Sequence, residues 1–147
     1  MKMRYVFSFC LGVFFMILMF IMTGVPITAF INLPVFLLML LLPGIMLFAS
    51  PGPAMIVRAF SVAFSRSSFT EEELIASRSF FLAWGRGVNL SGAFGVLSGI
   101  IAILGKADTV AFVGSYAAIA LLSPLYAVMF RLLFIEPLRE SIERRLV

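Results

Sequence analysis

Apolar positions in this chain fall into long unbroken blocks, not the alternation of a strand or the narrow stripe of a soluble amphipathic helix. Residues 5–25 form the first block, with Lys2 and Arg4 in front of it. Residues 33–50 form the second, entered through Pro26 and Asn32-Leu33-Pro34, interrupted by Pro43-Gly44 and closed by Pro51-Gly52-Pro53. Nothing charged lies between Arg86 and Lys106, so residues 87–105 form the third, and residues 109–135 the fourth after the short Lys106-Ala107-Asp108 turn. A bilayer core is crossed by about 20 apolar residues of helix. The pattern therefore predicts an all-α, multi-pass membrane protein with four transmembrane helices, the last two paired as a hairpin, forming one domain over residues 1–147. The second helix should kink at its proline, where neighbouring helices or water satisfy the freed carbonyl. The first block is longer than the roughly 7–15-residue core of a cleaved signal peptide, so it is expected to stay in the protein.

Two polar segments separate from these blocks. Residues 51–86 carry Arg58, Arg66, Glu71, Glu72, Glu73, Arg78 and Arg86 together with Ser65, Ser67 and Ser68, and read as a cytoplasmic loop with helical pieces. Thr70 followed by Glu73 fits a capping box, and three acids in a row suit the positive end of a helix dipole, so a helix should start near Glu71. Residues 136–147 mix charge with Ile142 and Leu146, as an interfacial or cytoplasmic helix does. Counting cations near the ends of the blocks puts Lys2, Arg4, Arg58, Arg66, Arg78, Arg86, Arg131, Arg139, Arg144 and Arg145 on one side and leaves Lys106 on the other. By the positive-inside rule both termini are expected in the cytoplasm. Arg131 lies inside the fourth block but near its cytoplasmic end, within snorkelling reach of water.

Composition agrees with a membrane chain: 63% of residues are hydrophobic and 12% charged, against about 45–50% and about 25% in soluble domains. There is one cysteine, Cys10, and no histidine. Paired disulfides, Cys/His zinc sites and histidine-based acid–base chemistry within the chain are thereby excluded, no catalytic constellation can be named, and no cofactor is expected. The net charge of +4 is explained by topology, because no basic cluster is interleaved with stacking aromatics as nucleic-acid binding requires.

A helical wheel at about 100° per residue divides the third block. Ser91, Gly92, Gly95, Ser98, Gly99, Ala102 and Gly105 share one flank, while Phe94, Leu97, Ile100, Ile101 and Leu104 take the other. Small residues four apart let helices approach closely where packing and hydrogen bonds drive association. On the fourth block, Ser115, Tyr116, Ser123 and Tyr126 gather on one face, which can either hold helices together or line a wet path. No Asp, Glu, Lys or Arg occupies the centre of any block, so a proton relay would need an ionisable group from elsewhere.

These motifs carry a family resemblance. Phe30-Ile31-Asn32-Leu33-Pro34 and Val57-Arg58-Ala59-Phe60-Ser61-Val62-Ala63-Phe64 are similar to segments flanking the second helix of MotA, the flagellar stator channel subunit. Gly92-Ala93-Phe94-Gly95-Val96-Leu97-Ser98-Gly99-Ile100-Ile101 resembles the third helix of the MotA/TolQ/ExbB proton-channel family. Ala118 to Tyr126, continuing through Leu132-Leu133-Phe134-Ile135 to Pro137-Leu138, resembles its last helix. The resemblance implies an inner-membrane homo-oligomer, a pentamer in the family, around a MotB/ExbD/TolR-like single-span partner whose aspartate carries a proton or sodium ion. It would place Ser91, Gly95, Ser98, Ala102, Ser115, Ser123 and Tyr126 toward the pore or partner, and give Gly92 and Gly99 to helix packing. The chain departs from the pattern at Val96 and at Ser123-Pro124, where the family has threonines, at Asn89, where MotA has proline, and at Leu41-Leu42, where its second helix has a glycine pair. Its loop is also far shorter than the MotA domain that meets the flagellar rotor. Those departures leave a non-conducting structural or assembly subunit of an envelope complex as the alternative.

Overall fold

A computed structural model describes residues 2–24, 26–49, 52–65, 67–105 and 110–146. Among them every regular element is helical: α1 (Lys2–Met22), a 3-10 turn (Ile27–Phe30), α2 (Leu33–Ala49), α3 (Pro53–Phe64), α4 (Glu71–Gly105), α5 (Val110–Phe130), a π turn (Arg131–Ile135) and α6 (Glu136–Glu143). The Lys106-Ala107-Asp108 turn, Thr109, Arg66 and Pro51 lie outside the described residues.

Among the described residues three stretches are long and apolar enough to cross a membrane: Thr28–Ala49, Glu71–Gly105 and Phe112–Glu143. Three such helices are the make-up of a membrane protein. Helix α1 runs over 21 residues, Lys2–Met22.

The segment read as a loop with helical pieces holds more helix than expected, and α4 starts at Glu71 as the capping box predicts. Residues 51–86 are mostly helical, and α4 runs without a break through both the polar stretch and the third apolar block. Its 35 residues span about 52 Å at 1.5 Å each, well beyond a hydrocarbon core of about 30 Å, so a long polar end projects from it. The start is set by a reciprocal capping box. The Thr70 N–H donates to Glu73 Oε2 at 3.1 Å, and the Glu73 N–H donates to Thr70 Oγ1 at 3.3 Å.

The projecting half of α4 is packed by α3 and α6. Gly52, at φ 96°, turns the chain, and Pro53 starts α3, where its missing N–H costs nothing. Ala59 and Val62 of α3, Phe81 of α4 and Ile142 of α6 are fully buried together. Each large aliphatic or aromatic side chain hidden in this way stabilises by about 1.5–3 kcal/mol. Arg145 then closes the end of α3, donating to the carbonyls of Val62 at 3.1 Å and Ser65 at 2.7 Å, and Ser141 donates to Ala63 O at 3.3 Å. Phe60, Phe80, Phe81, Trp84 and Phe130 form a linked aromatic group that joins this end to α5.

The π turn has a cause in the sequence. In an α register the carbonyl of Leu133 would wait for an N–H at residue 137, and Pro137 has none. Widening the turn lets donors reach five residues back, as Glu136 N–H does to Arg131 O. Helix α6 follows directly, so the tail continues α5 and is not a detached segment.

Candidate functional site

The seam between α4 and α5 is built from small residues that alternate in step. Gly92 faces Ala127, Gly95 faces Ser123, and Gly99 faces Ala120 and the carbonyl of Tyr116. Glycine is required at these positions by space. A methyl on Gly92 would lie 2.9 Å from Ala127 Cβ, one on Gly99 would lie 2.8 Å from Ala120 Cβ, and one on Gly95 would overlap Ser123 itself. Farther down, Gly87 gives the same clearance to Pro43 of α2, with 3.0 Å to its Cβ. The opposite flank of α4 is turned outward: Phe94, Leu97, Ile101 and Leu104 are all exposed, and Ile101 and Leu104 are 68% and 78% accessible.

Two hydroxyls of the hairpin helices are fully buried, Ser123 in this seam and Ser91 on α4. Ser91 Oγ donates to Gly87 O at 2.9 Å and Ser123 Oγ to Ile119 O at 2.7 Å, both one turn back along their own helices. Each hydroxyl thus has its proton satisfied within its own helix.

The remaining candidates lie elsewhere. Ser98 and Ala102 are half-buried on α4, and Ser115 is exposed near the start of α5. Tyr126 points to α2. Its hydroxyl donates to Phe30 O and accepts the Asn32 N–H at 2.8 Å, while Asn32 Oδ1 accepts the Val35 N–H at 3.2 Å and caps α2. The structure therefore brings Gly92, Gly95, Gly99 and Ser123 into one packed contact, buries Ser91 elsewhere on α4, and turns Tyr126 toward the start of α2. Ala120 and Ala127 complete the seam and were missed from sequence. Their spacing around Ser123 was the available signal.

Among the described residues the charged side chains of the hairpin gather at one end. Arg131, half-buried, meets Glu136 at 2.7 Å, as snorkelling toward polar surroundings requires. Glu136 also meets Arg139 at 2.9 Å, Arg139 meets Glu143 at 3.4 Å, and Glu143 meets Arg78 of α4 at 2.7 Å. The chain of ions ties α5, α6 and α4 together where the apolar stretches stop. Among the described residues no group of three or more His, Cys, Asp or Glu could hold a metal ion.

Fold and site define an all-helical membrane protein organised around a close-packed helix hairpin. Comparison with family models and with curated proteins finds no match to this chain.

Proposed function

We propose that this chain is a MotA/TolQ/ExbB-like ion-channel subunit of stator type, lying in a bacterial cytoplasmic membrane with both termini inside and α1 as a fourth crossing. With a single-span partner it converts proton or sodium flow into motion or force. The observation that carries the reading is the contact of Ser123 with Gly95 in a hairpin whose central part holds no charged side chain. A channel subunit that leaves the ion-carrying carboxylate to its partner needs close helix approach and no acid of its own. Copies of the chain surround the partner, five by analogy with the family. The short polar segment between α2 and α4 offers little surface for a flagellar rotor, so the load driven is a different envelope component.

A second reading is a non-conducting structural or assembly subunit. It is favoured by the packing of the seam and by both buried hydroxyl protons being spent on the helices that carry them. Purification of the tagged chain from native membranes tests the shared premise of assembly with a partner. A single-span protein with an aspartate in its span should co-purify, and recovery of the chain as a homo-oligomer with no such partner would overturn the channel reading. Ion flux separates the two.

A further inference from the structure

At the polar end Arg58, Arg78, Arg131, Arg139 and Arg144 each meet a carboxylate, and Arg145 donates to the carbonyls that end α3. Arg86 is exposed, and among the described residues its side chain has neither an ion pair nor a hydrogen-bond partner. It is the last charge on α4 before the uncharged stretch 87–105. That stretch spans about 28 Å at about 1.5 Å per residue, which matches a hydrocarbon core of about 30 Å and puts Arg86 at headgroup level. On the helical wheel Arg86 falls within about 60° of Leu90, Leu97, Ile101 and Leu104, all exposed, so cation and apolar flank share one face of α4. Asn89 lies beside that face, about 4.5 Å deeper, exposed and with no side-chain partner among the described residues.

An amide turned toward hydrocarbon without a hydrogen bond is unfavourable, and an unpaired guanidinium at the membrane surface attracts phosphate. A phospholipid offers partners for both at the right levels, the phosphate outermost and the ester carbonyls of its glycerol backbone just inside. A second copy of the chain does not. Copies side by side with a common orientation hold Glu71 and Glu72, the carboxylates without an ion pair among the described residues, about 21 Å along α4 from Arg86. The flank beyond Arg86 is also bulky, whereas helices meet closely in lipid through small residues, as α4 and α5 do. We infer that Arg86 and Asn89 hold an anionic phospholipid of the leaflet on the arginine-rich side. Its phosphate sits on the guanidinium, an ester carbonyl accepts from the Asn89 amide, and an acyl chain runs along Leu90, Leu97 and Ile101. The site stands whether or not the chain conducts ions.

Leu90, 61% exposed, has room for a larger ring, so the full chain with Leu90→Trp and Trp84→Phe carries one tryptophan beside the site. This reporter chain is reconstituted in phosphatidylcholine vesicles containing increasing fractions of lipid with brominated acyl chains, either phosphatidylglycerol or phosphatidylcholine. Half-maximal quenching is expected at an about fivefold lower fraction of the anionic lipid, the preference one arginine supplies near an anionic headgroup. Arg86→Gln should erase the difference between the lipids, and Arg86→Lys should keep it; neither change removes an ion pair. Arg144→Gln takes the same charge from the tail and should leave the preference intact. Asn89→Ala should raise the fraction needed of either lipid, because both carry ester carbonyls, and no rise overturns the place of the amide in the site. Equal quenching by the two lipids before Arg86 is changed overturns the inference, as does a preference that survives Arg86→Gln or that Arg144→Gln abolishes equally. Absence of quenching by either lipid overturns it too, since another copy or a partner then covers the flank.

Discussion

Gly95 and Gly114 show how differently one residue type can serve in this chain. A methyl on Gly95 has nowhere to go, whereas Gly114 on α5 has no heavy atom within 4 Å of where its Cβ would stand. Overpacking a tight contact costs about 1–3 kcal/mol. Alanine for glycine on an open helix surface is favourable by up to about 1 kcal/mol. Gly95→Ala should therefore lower the unfolding midpoint in denaturant titrations of the detergent-solubilised protein, and Gly114→Ala should leave it unchanged or raise it. Tyr126→Phe removes a hydroxyl that serves two backbone groups from 94 and 96 residues away. Interhelical hydrogen bonds of this kind are worth about 0.6–1.7 kcal/mol, and hydrogen exchange at the Asn32 amide should accelerate by a corresponding factor. The wheel alone made the small face of α4 legible, because helical periodicity assigns a face without knowing the neighbour. The Tyr126 contact was not legible, since nothing local links it to Asn32 or Phe30.

At the level of elements, the capping box at Thr70 and Glu73 was readable because its chemistry lies within four residues. The continuity of α4 was not, because the sequence changes character at Arg86 while the backbone does not. Helix α3 was hidden for a related reason: its buried positions, Ala59, Val62 and Ala63, are small and answer to partners in α4 and α6 far along the chain. The π turn sets Pro137 against the packing of α6, and magnitudes decide between them. Restoring one N–H with Pro137→Ala offers about 1 kcal/mol for an α register. Rotating α6 out of place would expose Leu138 and Ile142, at about 1.5–3 kcal/mol each. Pro137→Ala should thus keep the π turn and leave tryptic cleavage at Arg139, Arg144 and Arg145 unchanged. Ile142→Ala, at about 2–5 kcal/mol, should speed that cleavage markedly.

The tie between α3 and α4 carries a pH dependence. Glu73 lies on the polar first turn of α4, outside the uncharged stretch 87–105, and its carboxyl is held below the ordinary carboxylate range by the hydrogen bond from Arg58 and then by the Thr70 N–H. A depressed pKa contributes stability that is present above the unfolded value and is lost as pH falls through the folded one. Melting followed by Trp84 fluorescence should fall on acidification below the usual carboxylate range, and Glu73→Gln should flatten that decline.

For the molecule as a whole, two different kinds of packing divide the chain. The polar end, α3 with the first half of α4 and α6, is held by burial of large side chains that water would otherwise surround. The α4–α5 hairpin is held by close backbone approach, with its bulky residues turned outward. Block length read the apolar helices correctly as membrane-crossing candidates, three of them among the described residues. The exposed apolar flanks of α2 and α4 are surface that a bilayer or the proposed assembly would cover.

The most direct test of that proposal is ion flux through the reconstituted complex, read with a pH-sensitive dye inside liposomes. Ser123→Ala is the cleaner probe than a larger residue, because it removes the hydroxyl without pressing on Gly95. A proton leak that disappears when the partner's membrane aspartate is changed to asparagine, and falls at least about tenfold in Ser123→Ala, is the predicted result. A complex that assembles fully yet passes no ions, or one whose leak is indifferent to both substitutions, would contradict it.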